Sequence, residues 1–152
     1  MKGQNISNYN INLSIYPERG VINIECDINV KFLKDRRYII FLLNDGLKVN
    51  SIKYRNAVSH YRIWLINFLL LPEKLKKGED LKLNIVYEGK LRALGFSDGY
   101  IKEKEFILRN EDLWYPLDFQ GLFTLNVNGT VPVSITPALP GSIINKLTGD
   151  GK

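Results

Sequence analysis

The chain has 152 residues, 45% of them hydrophobic, with a formal charge of +5 and a single cysteine. That length fits one domain able to bury roughly 70% of the surface its unfolded form exposes, so no disulfide or structural metal is required to hold it. Cys26 has no internal partner, and the longest apolar run, Ile63 to Leu71 with Asn67 inside it, falls short of the ~18 residues of a membrane-spanning helix.

Met1 to Asn10 are polar with one lysine and lack the apolar stretch of a signal peptide. Tyr9, Ile11, Leu13 and Ile15 then alternate with asparagines and a serine, the two-residue period of a half-buried strand. Pro17-Glu18-Arg19-Gly20 is a turn, and Ile22, Ile24, Cys26, Ile28, Val30 and Phe32 form the apolar face of a long second strand, so the pair predicts an antiparallel hairpin. Tyr38 to Leu43 is apolar at nearly every position, as in a strand covered on both faces. Asn44-Asp45-Gly46 ends it. Further strands are expected at Val49 to Tyr54, at Tyr61 to Phe68 and along Leu81, Leu83, Ile85 and Tyr87. Pro72 to Asp80 is too short and polar for a packed helix, and Gly78 closes any turn there. The pattern loosens through Gly95 and Gly99, as in a hairpin tip or a passage between sheets, and resumes at Phe106 to Leu108. After Leu113-Trp114-Tyr115-Pro116, Phe123, Leu125 and Val127 alternate again, and Val131, Val133 and Ile135 continue between prolines. Roughly eight to ten short strands without helices between them predict one all-β domain over residues 1–152, an antiparallel β-sandwich or saddle-like curled sheet.

Little chemistry can be assembled on this scaffold. A catalytic zinc needs about three His, Cys, Asp or Glu ligands, and His60 is the only histidine. The same shortage leaves a Ser-His-Asp triad without a base and its partners. Glu79 with Asp80 and Glu111 with Asp112 are neighbours, which a strand points to opposite faces; with Asp118 they do not make a glycosidase pair. Cys26 falls on the apolar face of its strand and reads as an inert thiol. No catalytic, cofactor-binding or metal-binding residue is therefore assigned. The positive charge is scattered over Lys34, Arg36, Arg37, Lys74, Lys76, Lys77, Lys90 and Arg92, with acids between, and reads as solvated loop charge instead of a nucleic-acid face. The lone thiol leaves the compartment open, with the cytoplasm favoured for a soluble chain.

The order of elements resembles the amino-terminal domain of aminopeptidase N-like zinc metallopeptidases. The resemblance is carried by the Tyr9-x-Ile-x-Leu-x-Ile15 strand, a second strand ending in Val30-x-Phe32, and Ile39 to Leu43 followed by Leu47-x-Val49-x-x-Ile52. It continues through Leu75-x-x-Gly78-Glu79 before Leu81 to Tyr87 and Glu88-Gly89, and through Trp114-Tyr115-Pro116 before the Phe123 strand. It covers roughly Asn8 to Ile135 and implies a saddle-shaped β domain that packs on a separate thermolysin-like catalytic domain. The family's His-Glu-x-x-His and Gly-x-Met-Glu-Asn motifs belong to that second domain and do not occur in this sequence. The family's substrate-holding glutamine has no counterpart in Leu108-Arg109-Asn110-Glu111-Asp112, so no site residue carries over. What the resemblance implies is an excised or truncated non-catalytic domain whose partner is a catalytic domain of the same polypeptide, or another copy of the chain, with zinc only in the missing part.

A free-standing binding module of the adhesin or carbohydrate-binding kind is the alternative, with Trp64, Trp114 and Tyr115 as a ligand platform or, for the last two, as core between sheets. If the domain docks, its surface is expected in Leu91 to Tyr100 with Trp114 to Phe119, through Leu91, Leu94, Phe96, Trp114, Tyr115, Leu117 and Phe119. These lie outside the clean alternation.

Overall fold

The computed structural model describes residues 3–95, 99–102, 105–118 and 122–132. Ten strands are present among them: β1 (Gln4–Tyr16), β2 (Val21–Phe32), β3 (Arg36–Leu42), β4 (Leu47–Lys53), β5 (Ser59–Ile63), β6 (Ile66–Leu75), β7 (Asp80–Gly89), β8 (Tyr100–Lys102), β9 (Glu105–Ile107) and β10 (Thr124–Thr130). A 3-10 turn at Asn110–Asp112 is the one helical element described. Five strands form a sheet in the order β10-β1-β2-β7-β4, three form a second in the order β3-β6-β5, and β8 pairs with β9. The all-β expectation holds. One pairing departs from it, because β10 runs parallel to β1 while the other ladders are antiparallel.

Alternation decides which face of the large sheet is inside. Tyr9, Ile11 and Leu13 of β1 lie opposite Ile28, Cys26 and Ile24 of β2, which face Leu83, Ile85 and Tyr87 of β7, and all nine are buried. The inner face of the small sheet, with Ile39, Phe41, Leu69 and Leu71, joins the same core. Each fully buried Ile or Leu contributes ~1.5–3 kcal/mol relative to exposure. In β1 the buried positions change phase, from Gln4 and Ile6 to Tyr9, because the register slips between Ile6 and Asn8. At this bulge the amide of Ile6 donates to Asp118 Oδ2 at 2.7 Å, so a carboxylate replaces the missing ladder bond.

Two buried amides tie the sheets together. Gln4 Nε2 donates to the carbonyl of Ile40 at 2.6 Å while its Oε1 accepts from the Ile40 amide at 3.0 Å, so the side chain of a β1 residue pairs with β3 as another strand would. Asn44 sits where the chain leaves the small sheet for the large one. Its Nδ2 donates to the carbonyls of Arg92 and Asp112 at 3.0 and 2.9 Å, and its Oδ1 accepts from the amides of Gly46 and Arg92 at 2.9 and 3.0 Å. Every hydrogen-bonding position of that amide is filled. Glycine is needed beside it, since a Cβ on Gly46 would lie 1.9 Å from the Lys90 carbonyl oxygen, and one on Gly89 (φ +150°) would lie 2.1 Å from that of Gly46.

Lys34, Lys74, Lys76, Lys77, Lys90 and Arg92 are exposed, as expected of solvated charge, but Arg36 and Arg37 are engaged by the fold. Arg37 donates to the carbonyls of Leu71 and Pro72 at 2.7 and 2.9 Å, and Arg36 reaches Gln4 Oε1 at 3.2 Å with its guanidinium over the Tyr38 ring. They satisfy backbone and side-chain acceptors at the sheet ends. No described helix is long and apolar enough to cross a membrane.

Asn44→Ala is expected to cost about 3 kcal/mol in urea denaturation, because it strands four backbone groups that are buried or partly buried. Asn126→Ala, which removes one exposed bond to Asn10 Oδ1, is expected to cost under ~1 kcal/mol.

Candidate functional site

β4 and β5 are each the edge of their own sheet, and an open cleft of about 480 Å³ separates them, with Asp45, Lys48, His60, Arg62 and Trp64 on its walls. Arg62 crosses from β5 to hold the chain on the other side. Its Nε donates to the carbonyl of Trp64 at 2.9 Å, Nη2 to those of Leu43 (2.9 Å) and Asn44, and Nη1 to that of Leu47. Burial lowers its pKa, and the neighbouring Asp45 works in the opposite direction. Asp45 Oδ2 pairs with Arg92 Nη1 at 2.8 Å. His60 faces Asn67, whose Nδ2 donates to the Leu65 carbonyl at 3.1 Å; Asn67 Oδ1, 2.9 Å from His60 Nε2, is thus the acceptor and the ring nitrogen the donor. His60 has a structural partner, as Arg62 does.

The tip of the β5–β6 hairpin was not legible in the sequence. Tyr61 to Phe68, expected as one strand, is broken at Trp64-Leu65 by a two-residue turn, in which Trp64 has φ +50° and is 64% exposed. Such turns ordinarily recruit Asn or Gly, and a bulky residue there is strained. The strain is held by its neighbours: Leu65 is buried, its carbonyl accepts from the Leu43 amide at 2.9 Å, and Arg62 and Asn67 anchor the two turn carbonyls. Tyr61, Ile63 and Ile66 around the tip are exposed as well.

The other candidates are consumed by the fold. Cys26 is buried, and burial, with a smaller contribution from Asp27, pushes its thiol far above the ordinary range. Glu79 Oε2 accepts from the Lys76 amide at 2.6 Å in the turn before β7. Asp112 accepts from the amides of Gly99 and Arg109 at 3.0 and 2.6 Å, while Glu111 beside it is exposed. Asp118 is bound to Ile6. Among the described residues no three His, Cys, Asp or Glu side chains gather as a metal site.

The expected docking segment is corrected on its second half. Trp114, Tyr115 and Leu117 are 3%, 0% and 7% exposed, because Leu42 and Leu117 exchange backbone hydrogen bonds of 2.7 and 3.0 Å and zip the segment onto β3. Tyr115 meets Tyr9 edge-on at 5.2 Å between ring centroids, and Tyr87 donates to the Trp114 carbonyl at 3.1 Å. Leu91 and Leu94 are half-buried against the core; Phe96 and Phe119 lie outside the described residues. Of the three aromatics proposed as a ligand platform, only Trp64 is exposed.

Burial, helped by the charge of Glu111, pushes the Tyr115 hydroxyl up to about 12, and burial first of all raises Tyr9 and Tyr87 well above the ordinary range. With folded-state values above unfolded ones, the stabilisation is complete below pH ~10 and is lost as pH rises, by ~1.4 kcal/mol per unit for each group. Urea midpoints are expected to fall steeply from pH 10 upward, with tyrosinate absorbance showing at least three of the eight tyrosines protonated until unfolding. Midpoints level to pH 12 refute this. Trp64→Gly is expected to raise stability by about 1 kcal/mol by removing the left-handed strain, as read from thermal melts.

No protein-family model matches the chain, and no curated protein sequence matches it significantly. Solved structures do match. The M1 zinc metallopeptidase from Deinococcus radiodurans superposes with a TM-score of 0.76 at 19% identity, covering 98% of this chain and 37% of the other. A mutant of that enzyme bound to a Tyr-Ser-Ala substrate gives a TM-score of 0.77 at 19% identity, with 99% and 38% covered. A two-domain M1 zinc metallopeptidase bound to L-tryptophan gives 0.71 at 18%, with 88% and 34% covered. The chain therefore has the fold of part of M1 zinc metallopeptidases, as its strand order suggested. It spans little more than a third of the length of those proteins.

Proposed function

We propose that residues 1–152 form a single non-catalytic domain of a zinc aminopeptidase-like protein, packed against a catalytic domain outside this chain. What supports the reading is the pair of coverages: almost all of this chain superposes on a little over a third of an M1 zinc metallopeptidase. Asp112 and Asp118 bind backbone amides, His60 is held by Asn67 and Cys26 lies in the core, which fits a supporting domain. In this reading zinc belongs to the other domain, the chain needs no cofactor of its own, and its setting is a soluble protein.

Purified residues 1–152 are expected to bind less than ~0.1 equivalent of zinc by metal analysis after dialysis, and to hydrolyse aminoacyl p-nitroanilides at the rate of buffer alone. One tightly held zinc per chain, or turnover that a chelator abolishes, overturns the proposal.

A further inference from the structure

The three-stranded sheet has two apolar faces and buries only one. On its outer side Tyr38, Ile40 and Leu42 of β3 lie beside Leu70, Phe68 and Ile66 of β6. Beyond β6 come Tyr61 and Ile63 of β5. The Tyr38 and Phe68 rings stack at 5.0 Å between centroids, which places them on one side. Exposure grows across the sheet, from half-buried β3 residues to 46% at Ile66, 58% at Tyr61 and 78% at Ile63. His60 and Arg62 of β5 turn the other way into the cleft, so the polar groups of this face lie at its margin, with Ser59 beside Leu70 and the Arg36 guanidinium over the Tyr38 ring. A strand with water on one side alternates apolar and polar residues; the continuous apolar runs of β3 and β6 belong to strands covered on both.

We propose that this outer face is the surface on which the second domain of a two-domain peptidase docks, a placement that rests on the function proposed above. Two observations choose that occupant over a second copy of the chain. The matched structures include proteins described as two-domain, and this fold accounts for only 34% to 38% of them. The size also fits. Three strands ~4.8 Å apart and five residues at ~3.4 Å each give a footprint of about 14 by 17 Å. With its rim the patch reaches a few hundred Å², the scale of one side of a contact between domains and short of the ~800 Å² per partner of a self-standing dimer.

Hydroxyl-radical footprinting tests the placement by comparing residues 1–152 alone with the whole polypeptide that the cell makes from the same gene. Tyr38, Tyr61, Ile63 and Phe68 are expected to be oxidised at least fivefold more slowly in the whole polypeptide, with Leu33, exposed elsewhere, unchanged. Protection by a second domain that falls only on other surfaces overturns the placement and leaves the domain reading standing. A whole polypeptide without a second domain overturns both. In that case, protection that disappears on dilution, or in the Tyr61→Lys, Ile63→Lys double variant, identifies a second copy as the occupant.

Discussion

One buried amide holds the architecture open in the right place. Between Leu42 and Leu47 the chain leaves one sheet and enters the other, so the backbone there cannot belong to either ladder, and its polar groups must find partners elsewhere. Asn44 supplies them with its side chain and adds two bonds of its own backbone, from its amide to the Leu113 carbonyl at 2.8 Å and from the Leu47 amide to its carbonyl at 3.0 Å. Arg62 satisfies the carbonyls on either side. Because the Asn44 amide also binds Arg92 and Asp112, the same residue fixes where the 92 and 112 segments cross the sheet. The close approach of Gly46 to Gly89 lies beside that crossing.

The division between sheets explains a recurrent use of polar side chains. Gln4, Asp112 and Asp118 are buried and bonded to backbone, and Arg37 and Arg62 end on carbonyls. A domain built from separate sheets leaves backbone outside the ladders where the chain passes between them, and side chains able to mimic a strand edge fill the gap. The residues that could carry chemistry elsewhere are committed to holding the chain.

Sequence legibility followed the range of the interactions. The β1–β2 hairpin and β7 were plain because alternation is local, and so was the burial of Cys26. The Trp64-Leu65 turn was invisible, since it lacks Asn or Gly and is stabilised by Leu43 and Arg62 from outside the turn. Asn44-Asp45-Gly46 looked like a strand terminator and is one; its larger role depends on partners 48 and 68 residues away. Trp114 and Leu117 were placed on a docking surface because they lie outside any alternating run, whereas one backbone pairing with Leu42 was enough to bury them. Tyr38 to Leu42 lies in β3, as the apolar run suggested, but the cover expected on both faces is complete on only one of them in the described structure.

The parallel partnership of β1 with β10 joins the beginning of the described chain to its end, with Asn8, Asn10 and Asn12 hydrogen-bonded to Thr124, Asn126 and Asn128 across 116 residues. On the ribosome, β1 can pair with β2, and β2 with β7, by the time Gly89 has emerged, but the other edge of β1 must wait for about 40 further residues. At a synthesis rate of roughly 5 to 20 residues per second that edge stands open for about 2 to 8 s. For that interval the nascent chain presents a long, apolar-backed strand with free amides and carbonyls, the kind of template on which neighbouring chains join edge to edge. Those seconds of synthesis, before β10 closes the edge, are when the chain is most open to association with its neighbours.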